Sequence, residues 1–386
     1  MTETVLIDGW TAPGFEGARE AFAANFTRPG DYQEVGAALA AYHQGRLVVD
    51  LWGGHADRAR TRSFRQDSLV NVWSATKGMV ASACAMLVDA GAFTYDEPVA
   101  RLWPEFAQGG KQAITVGQLL SHQSGLPGFN EPTTIEDQAD WAACVGKLER
   151  QTPLWPPGAA SSYHAMTYGW LAGEVVRRAS GRSVGRYLRD EIALRLNADL
   201  HIGLPRGLEG RVAEIIGPAS PADPAMLAAL PPSAVMALTN PAQDPESPNR
   251  RFWRAAEIPA ANGHASALGL ARLYAALVFG AVDGVTLVSE STLARMTAPA
   301  APAGRIDQFL GFADCWGMGV VLNTPGIYGA NPKAYGHSGW GGSFGCADPE
   351  AGVAIGYVCN RMGPELVGDP RTAGLCGAIL QAAGQA

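Results

Sequence analysis

The sequence predicts a mixed α/β fold of the α+β kind: an antiparallel sheet shared by the two chain ends and flanked by helices, plus a mainly helical domain. Short β-rich segments separated by glycines occur near both ends, whereas the middle of the chain shows helical patterns and loops. With 386 residues, 47% of them hydrophobic, the chain can bury a large core and form a cleft between layers. We therefore expect an α/β domain over 1–95 and 260–386, a helical domain over 96–259, and a functional site in the cleft between them.

The N-terminal part predicts a helix, a β-hairpin and a second helix. Apolar residues at helical spacing predict the first helix from Glu16 to Phe26. Two β-rich segments, 35–42 and 46–52, flank a short turn that contains a glycine, which is a hairpin signal. The segment 75–90 is rich in Ala, Met and Leu and predicts a helix, with Gly91 suited to its C-cap.

The middle and the C-terminal part contain the remaining predicted elements. In the middle, the pattern predicts helices over 115–120, 168–179 and 184–196, and a loop over 240–248. In the C-terminal part it predicts helices capped by Ser266 and Ser289, short strands over 314–323, 333–337, 344–348 and 353–360, and a last helix over 371–381.

Charge and cysteine usage exclude several classes of partner. The formal net charge of −7 argues against nucleic acid or an anionic membrane as the main partner. The first 15 residues do not have the pattern of a signal peptide, and no apolar stretch reaches the length of a membrane span. The six cysteines form no CxxC pair and no zinc spacing. We therefore expect a soluble cytoplasmic protein with reduced thiols and no metal.

The first segment with candidate catalytic residues is Ser74-Ala75-Thr76-Lys77, at the start of the predicted helix over 75–90. Residues three apart share a helix face, so Lys77 lies one turn beyond Ser74. Free N–H groups at a helix start favour a developing anion, and a desolvated lysine is a plausible base for a serine. The alternative is an N-cap serine beside a solvated lysine, and the spacing alone leaves both open.

Two further segments are candidates. Tyr163 stands at the entrance of the predicted helix over 168–179, where its phenol could reach a nucleophile and act as a base beside a cation. A core aromatic with one hydrogen bond is the alternative. In 337–345, His-Ser-Gly-Trp-Gly-Gly-Ser-Phe-Gly, glycines in a strand context indicate either a close approach of the backbone to a ligand or a tight turn.

One match to a catalytic motif is predicted to be coincidental. Residues 341–345 have the GxSxG form of a nucleophile elbow around Ser343. That arrangement needs a histidine after the serine, and all seven histidines precede Ser343. We therefore expect Ser343 to be structural. His122 is likewise expected to be a structural hydrogen-bonding residue near a helix end.

Together these segments resemble the serine β-lactamase and penicillin-binding protein superfamily, and more closely its class C β-lactamase-like esterases, the family VIII carboxylesterases. The resemblance spans roughly 35–360 and is carried by four segments in the family's order: Ser74-x-x-Lys77, the stretch Leu119-Leu120-Ser121-His122-Gln123-Ser124-Gly125-Leu126-Pro127, Pro157-Gly158 followed by Tyr163, and His337-Ser338-Gly339. It implies a β-lactamase/transpeptidase-like fold.

The resemblance also implies roles for individual residues. Ser74 matches the acylated nucleophile, Lys77 the lysine that helps to deprotonate it, and Tyr163 the tyrosine that shares this duty and passes a proton to the leaving group. The backbone N–H groups of Ser74 and Trp340 would form the oxyanion hole. The implied substrate-binding residues are His337, Ser338, Gly339, Trp340 and Phe129.

Three departures from the lactamase pattern favour neutral esters over carboxylated lactams. His337 stands where β-lactamases carry a lysine, so a permanent positive charge is missing. Ala165 replaces an asparagine that could bind an acylamino group, and Trp340 adds an apolar ring beside the strand. The sequence therefore predicts a serine carboxylesterase that acts on small, short-chain esters through an acyl-Ser74 intermediate, without a cofactor.

Two alternatives stay open at this point. The first is an amide hydrolase of the same fold, such as a weak β-lactamase, a D-aminopeptidase or an ω-amide hydrolase. The second is a catalytically inactive protein of the penicillin-binding type. The sequence predicts neither the natural ester nor the oligomeric state.

Overall fold

The computed structural model describes residues 5–219 and 229–384, and their centre is a seven-stranded antiparallel sheet. Its strand order is β1-β3-β2-β10-β9-β8-β7. The strands are β1 (Ile7–Thr11), β2 (Gly36–His43), β3 (Arg46–Gly54), β7 (Val321–Leu322), β8 (Tyr335–Ser338), β9 (Phe344–Asp348) and β10 (Val353–Cys359). Because β10 pairs with β2 from Val353↔His43 to Cys359↔Ala37, both chain ends contribute to one sheet. This confirms the predicted antiparallel sheet; the domain boundaries near 95 and 260 stay a prediction.

Helices surround this sheet and fill the middle of the chain. Their bounds are α1 (Glu16–Asn25), α2 (Thr76–Asp89), α3 (Val99–Leu102), α4 (Val116–Leu120), α5 (Trp141–Arg150), α6 (Thr167–Ser180), α7 (Val184–Tyr187), α8 (Pro232–Thr239), α9 (Arg251–Ala255), α10 (Ala267–Val278), α11 (Glu290–Met296) and α12 (Pro370–Ala383). Ser266 and Ser289 cap their helices as predicted, and Thr115 caps α4; each side chain accepts a hydrogen bond from the backbone N–H three residues on. None of the helices in the described ranges has the length and apolar character needed to traverse a bilayer.

The strand β2 is buried on both faces, which explains its uninterrupted apolar sequence. Successive side chains of a strand point to opposite faces. Leu39 therefore packs into one core with α1 and α12, whereas Tyr42 packs into the other with α10. On that second face α10 lies close to β10, because a Cβ on Gly356 would come within 2.2 Å of the Ala267 carbonyl oxygen. Glycine is thus required where the helix meets the sheet.

A second, three-stranded sheet leads the chain into α2. It consists of β4 (Val70–Asn71), β6 (His264–Ala265) and β5 (Leu200–His201), in the order β4-β6-β5. Val72, directly after β4, donates its N–H to the carbonyl of Gly263 at 2.8 Å. These contacts fix the segment that carries residues 73–77.

The structure differs from the predicted elements in a few places. The helix predicted over 184–196 is α7 followed by a π-helical segment over 188–193, and the strand predicted over 314–323 is reduced to β7. The elements that were not predicted are the strands β1, β4, β5 and β6 and the helices α3, α5, α8 and α9. β1 is an edge strand with mostly exposed side chains, so it lacks the apolar alternation that reveals a half-buried strand. The two-residue strands are too short to show any period.

A buried charge cluster connects α12 to the glycine-rich segment after β8. The guanidinium of Arg371, fully buried, donates to the carboxylates of Glu34 at 2.8 Å and Asp369 at 2.6 Å. It also donates to the carbonyl of Gly341 at 2.6 Å, one residue beyond Trp340. Because the planar guanidinium satisfies several acceptors at once, it fixes this backbone segment beside the sheet.

Arg371→Met is expected to lower the free energy of unfolding by about 3–5 kcal/mol, because two carboxylates would stay buried without a counter-ion. The matched control is Arg295→Met, which breaks the exposed ion pair with Asp96 and should cost no more than about 1 kcal/mol. Chemical denaturation of both variants measures the difference. Equal losses in the two variants would show that the buried cluster contributes no special stability.

Candidate active site

Ser74 lies in a tight turn at the entrance of α2. Residues 73–75 form a 3₁₀ turn, and Trp73 has a φ of +45°, which is uncommon for a bulky residue. The Trp73 ring packs between Trp253, with centroids 5.5 Å apart, and Trp340, with centroids 5.1 Å apart. These aromatic contacts hold the strained turn in place, and the turn presents Ser74 at the start of the helix.

Lys77 lies one turn beyond Ser74 and is fully buried. Its Nζ is 3.1 Å from Ser74 Oγ and donates to the carbonyls of Ala165 at 2.7 Å and Ala260 at 3.0 Å. Burial lowers the pKa of Lys77 well below its ordinary value, because no carboxylate faces the ammonium in the described part of the chain. The lysine is therefore suited to hold its amine in the neutral form.

Tyr163 completes the group around Ser74. Its phenol donates a hydrogen bond to Ser74 Oγ at 2.6 Å. Its ring is stacked on Trp316, with centroids 5.6 Å apart and planes 7° from parallel, and Lys77 Nζ is 4.7 Å from the ring centroid. Burial raises the pKa of Tyr163, and the hydrogen bond to Ser74 offsets only part of that rise. The structure thus brings all three predicted catalytic residues together.

The end of β8 lies against the backbone just before Ser74. A Cβ on Gly339 would come within 2.1 Å of the Val72 carbonyl oxygen, so only glycine fits there. Within the described ranges, the N–H groups of Ser74 and Trp340 donate to no protein acceptor, whereas those of Gly339 and Gly341 do. These two N–H groups therefore have no protein acceptor in the described structure, which is a requirement for donors to an oxyanion.

His337 and Ser338 face the same cavity as Ser74. His337 is buried, and burial is the main cause that lowers its pKa to about 3. Its Nδ1 donates to the Ser338 carbonyl at 2.9 Å, and its Nε2 has no partner in the described structure. The ring is therefore neutral at neutral pH and supplies no charge to hold a carboxylate.

The cavity at Ser74 is apolar apart from the reacting groups. Its remaining lining consists of Leu310, Trp316, Val321, Leu366 and Val367. These side chains suit an uncharged acyl or alkyl group. A larger cleft of about 190 Å³ lies elsewhere; Arg186, His201 and Glu257 are among its lining residues, and Ser74 is not.

Phe129, His122 and Ser343 are not part of this cavity. Phe129 is buried against Trp170, with centroids 5.4 Å apart, so the structure does not bring it to the other predicted substrate-binding residues. Ser343 Oγ accepts a hydrogen bond from the Cys359 N–H at 3.1 Å, as expected of a structural serine. His122 is fully buried, and its Nδ1 accepts from the His164 N–H at 3.1 Å.

Sequence reasoning missed the residues that come from the segment 307–316. Trp316 stacks on Tyr163, and Leu310 lines the cavity. Asp307 accepts hydrogen bonds from the Tyr163 N–H and the Trp316 indole N–H. The strand predicted over 314–323 includes Trp316, but the segment has no motif and lies more than 140 positions after Tyr163, so the sequence offered no signal that it reaches the site. In residues 5–219 and 229–384, no group of three His, Cys, Asp or Glu side chains is placed to hold a metal ion.

Comparisons with known proteins identify a family and relatives over nearly the whole chain. The Beta-lactamase family matches residues 22–376 of the chain. The Esterase/beta-lactamase LipL of Mycobacterium tuberculosis (strain ATCC 25618 / H37Rv) is 36% identical over 403 residues, which cover 98% of this chain and 89% of that protein. The Esterase EstB of Burkholderia gladioli is 26% identical over 84% of this chain and 86% of that protein.

Solved structures give the same result at the level of the fold. The crystal structure of a family VIII carboxylesterase superimposes with a TM-score of 0.91 at 40% identity and covers 98% of this chain and 100% of its own. A penicillin-binding protein homologue from Caulobacter crescentus superimposes with a TM-score of 0.90 at 43% identity, with the same coverage. These similarities extend over both the sheet and the helical region.

Proposed function

The chain belongs to the beta-lactamase family, and from this premise we propose that it is a serine carboxylesterase that hydrolyses short-chain esters through an acyl-Ser74 intermediate. The geometry at Ser74 carries the proposal: Tyr163 O–H at 2.6 Å and Lys77 Nζ at 3.1 Å both reach its Oγ. A serine hydroxyl needs such an adjacent base to act as a nucleophile at neutral pH.

The hydrogen bonds around Lys77 support it as the group that takes the serine proton. A neutral amine has two N–H hydrogens and one lone pair. The carbonyls of Ala165 and Ala260 accept the two hydrogens, which leaves the lone pair directed to Ser74 Oγ. As Oγ attacks the ester carbonyl, its proton passes to this lone pair, and the amine becomes an ammonium.

Tyr163 is suited to give a proton to the leaving group. Its raised pKa keeps it a phenol, and its O–H already points at Ser74 Oγ, where the tetrahedral intermediate forms. When the C–O bond breaks, the phenol proton passes to the departing alkoxide, and the Lys77 ammonium restores that proton. The alcohol leaves, and Ser74 stays acylated. In the second half-reaction a water takes the place of the alcohol and attacks the acyl group. The water proton passes to Tyr163, whose own proton passes to Lys77, and the Lys77 ammonium then returns a proton to Ser74 Oγ as the acid leaves.

The free N–H groups of Ser74 and Trp340 support an oxyanion hole at the same place. Negative charge develops on the carbonyl oxygen in both half-reactions, and preorganised N–H donors in a dry site stabilise it strongly. Arg371, which holds the Gly341 carbonyl, keeps the backbone beside Trp340 in position. Kinetics should be of the ping-pong type, with the alcohol released first.

The apolar lining and the neutral His337 favour esters over carboxylated lactams. A β-lactam antibiotic carries a carboxylate, and no cation lines the cavity to receive it in the described structure. The neutral imidazole cannot replace the point charge of a lysine. Hydrolysis of an amide remains chemically possible with the same three residues, but no observation at the site favours it.

We also propose that the protein works in the cytoplasm on small-molecule esters. All six cysteines are free and buried, and Cys84 and Cys359 lie among apolar neighbours. Unpaired thiols are typical of reducing compartments.

A substrate panel tests the proposed function. Purified protein is assayed with nitrophenyl acetate and butyrate and with a chromogenic cephalosporin, and kcat/KM is compared. The ester values should exceed the cephalosporin value by about 100-fold or more, a difference of about 2.7 kcal/mol in transition-state binding. A higher kcat/KM for the cephalosporin would establish an amide hydrolase, and no turnover of any compound would favour a penicillin-binding-type protein.

A further inference from the structure

Asp307 is a buried carboxylate next to the proposed catalytic group, and five hydrogen bonds converge on it. Oδ1 accepts from the backbone N–H groups of Tyr163 at 3.2 Å, Phe309 at 2.9 Å and Leu310 at 2.9 Å. Oδ2 accepts from the Trp316 indole N–H at 2.8 Å and the Ser161 hydroxyl at 3.2 Å. The side chain is held on both oxygens, so its orientation is fixed.

The partners of Asp307 surround the phenol that contacts Ser74. Tyr163 is held through its backbone, and its ring is stacked on Trp316. The Phe309 ring meets the Tyr163 ring edge to face, with centroids 5.5 Å apart. Leu310 lines the cavity at Ser74. One carboxylate therefore fixes the tyrosine, the ring that packs on it, and one wall of the site.

Burial of the Asp307 carboxylate costs free energy. Asp307 is 1% exposed, and in the described part of the chain no arginine or lysine forms an ion pair with it. A buried charge without a counter-ion is tolerated only where hydrogen bonds compensate it. The bonds to Phe309 and Leu310 close a local turn, which an asparagine could also do. The bonds to Tyr163 and Trp316 reach outside that turn and point to a role in the site.

We propose that Asp307 is a positioning residue for the ester hydrolysis: its carboxylate holds the Tyr163 phenol against Trp316 at hydrogen-bonding distance from Ser74. The proposal rests on the proposed function. Asp307 does not touch the reacting atoms and acts through Tyr163 and Trp316. Small displacements of a proton-transferring group cost much rate, because the transfer requires a hydrogen bond of correct length and direction.

Asp307 also affects the ionisation of Tyr163. Its negative charge contributes to the raised pKa of the phenol, in addition to burial. The other ionisable groups that face the ring are Lys77, His122 and His337, and burial lowers the pKa of all three. Removal of the Asp307 charge therefore lowers the Tyr163 pKa, so the phenol loses its proton at a lower pH and the alkaline limb of the rate profile moves down in pH.

Asp307→Asn tests this role with little change in shape. The amide oxygen can still accept from the turn, but its NH₂ group then faces the Trp316 indole N–H, and two donors meet. We expect kcat/KM for nitrophenyl acetate to fall about 100-fold, and the alkaline limb to move to lower pH. The matched control is Asp314→Asn in the same segment: among the described residues the Asp314 carboxylate accepts only from the Gly304 N–H, so this variant should keep the wild-type rate and profile.

A second variant keeps the test decisive if Asp307→Asn does not fold. Trp316→Phe retains a stacked ring but removes the indole N–H, and we expect kcat/KM to fall about tenfold with the alkaline limb unmoved. Folded Asp307→Asn with wild-type rate and pH profile, or Trp316→Phe with wild-type rate, would overturn the proposal. Ser74→Ala is measured in parallel: loss of activity there, with Asp307→Asn fully active, rejects this inference alone, whereas an active Ser74→Ala rejects the proposed function.

Discussion

Ser74→Ala is expected to reduce ester hydrolysis by about 10⁴-fold or more, because it removes the atom that forms the acyl-enzyme. The change leaves Lys77 and Tyr163 in place, and each keeps neighbours that do not depend on the hydroxyl: two carbonyls for Lys77, and the Trp316 ring for Tyr163. The fold should therefore persist. Steady-state hydrolysis of nitrophenyl acetate, with circular dichroism as a check on folding, measures the effect.

The matched control for this experiment is Ser343→Ala. Ser343 carries the GxSxG pattern, but its Oγ accepts from the Cys359 N–H and lies away from Lys77 and Tyr163. Its loss should cost about 1 kcal/mol of stability and leave ester turnover within about twofold. A folded Ser343→Ala variant without activity, beside an active Ser74→Ala variant, would place the nucleophile at the other serine.

Lys77→Met is expected to lower kcat/KM by about 10³-fold, because it removes the group that takes the serine proton. Methionine has nearly the same length and is compatible with burial, so the helix α2 should keep its packing. The carbonyls of Ala165 and Ala260 lose their donor, which should cost about 1–3 kcal/mol of stability. Nitrophenyl acetate turnover and chemical denaturation measure the two effects separately.

The control for Lys77 is a second lysine, which also donates to protein oxygens but has the carboxylate of Asp137 3.9 Å from its Nζ. Lys147 is largely buried in the helical region and donates to the Pro132 carbonyl at 2.8 Å and the Thr133 hydroxyl at 2.9 Å. Lys147→Met should reduce stability by a similar amount but leave kcat/KM unchanged. If both variants lost activity equally, the loss would reflect weakened folding, and the proposed role of Lys77 would be wrong.

The pH profile adds an independent check on Lys77. Burial lowers the pKa of Lys77 well below its ordinary value, and the amine is a base only above that pKa. As the pH falls through it, Lys77 gains a proton, its lone pair is lost, and kcat/KM should decline. The residual activity of Lys77→Met should lack this acid limb, whereas Lys147→Met should retain it.

Much of the site could be predicted from the sequence because the key spacings are local. Ser74 and Lys77 are three residues apart on one helix, and helix geometry alone places them together. The glycine-rich segment after β8 was a candidate because its glycines stand in a strand context. The structure gives the reason for one of them, because a side chain at Gly339 would not fit. Tyr163 needed the resemblance as well, since 89 residues separate it from Ser74 and no spacing rule connects them.

The partners that tune these residues could not be predicted from local patterns. The Lys77 amine is held by carbonyls 88 and 183 positions away, and a backbone carbonyl leaves no trace in the sequence. Asp307 and Trp316 come from an irregular segment, where neither period nor motif distinguishes them. Phe129 shows the limit of the resemblance: it was predicted to bind substrate, its ring packs on Trp170 away from the Ser74 cavity, and its role stays a prediction.

The same distinction between local patterns and tertiary contacts applies to the fold. Strands with buried, apolar sequences, such as β2 and β10, were predicted nearly to their ends, and so were the helices α2 and α10. The missed strands are exposed or very short, and their existence depends on tertiary pairing rather than on their own composition. The missed helix α5 is ten residues long and buries one face, so its pattern was present in the sequence. The pairing of β10 with β2 is also tertiary, but the presence of strand patterns at both chain ends was enough to predict a shared sheet.

The most direct test of the central claim is to trap the covalent intermediate on the intact protein. A fluorophosphonate is reacted with the wild-type chain, and the modified residue is located by peptide mass spectrometry. We predict one adduct, on Ser74, that inactivates the enzyme and is absent from Ser74→Ala but present in Ser343→Ala. An adduct on Ser343 or another residue, or full ester turnover by a protein whose Ser74 is modified, would contradict the acyl-Ser74 mechanism.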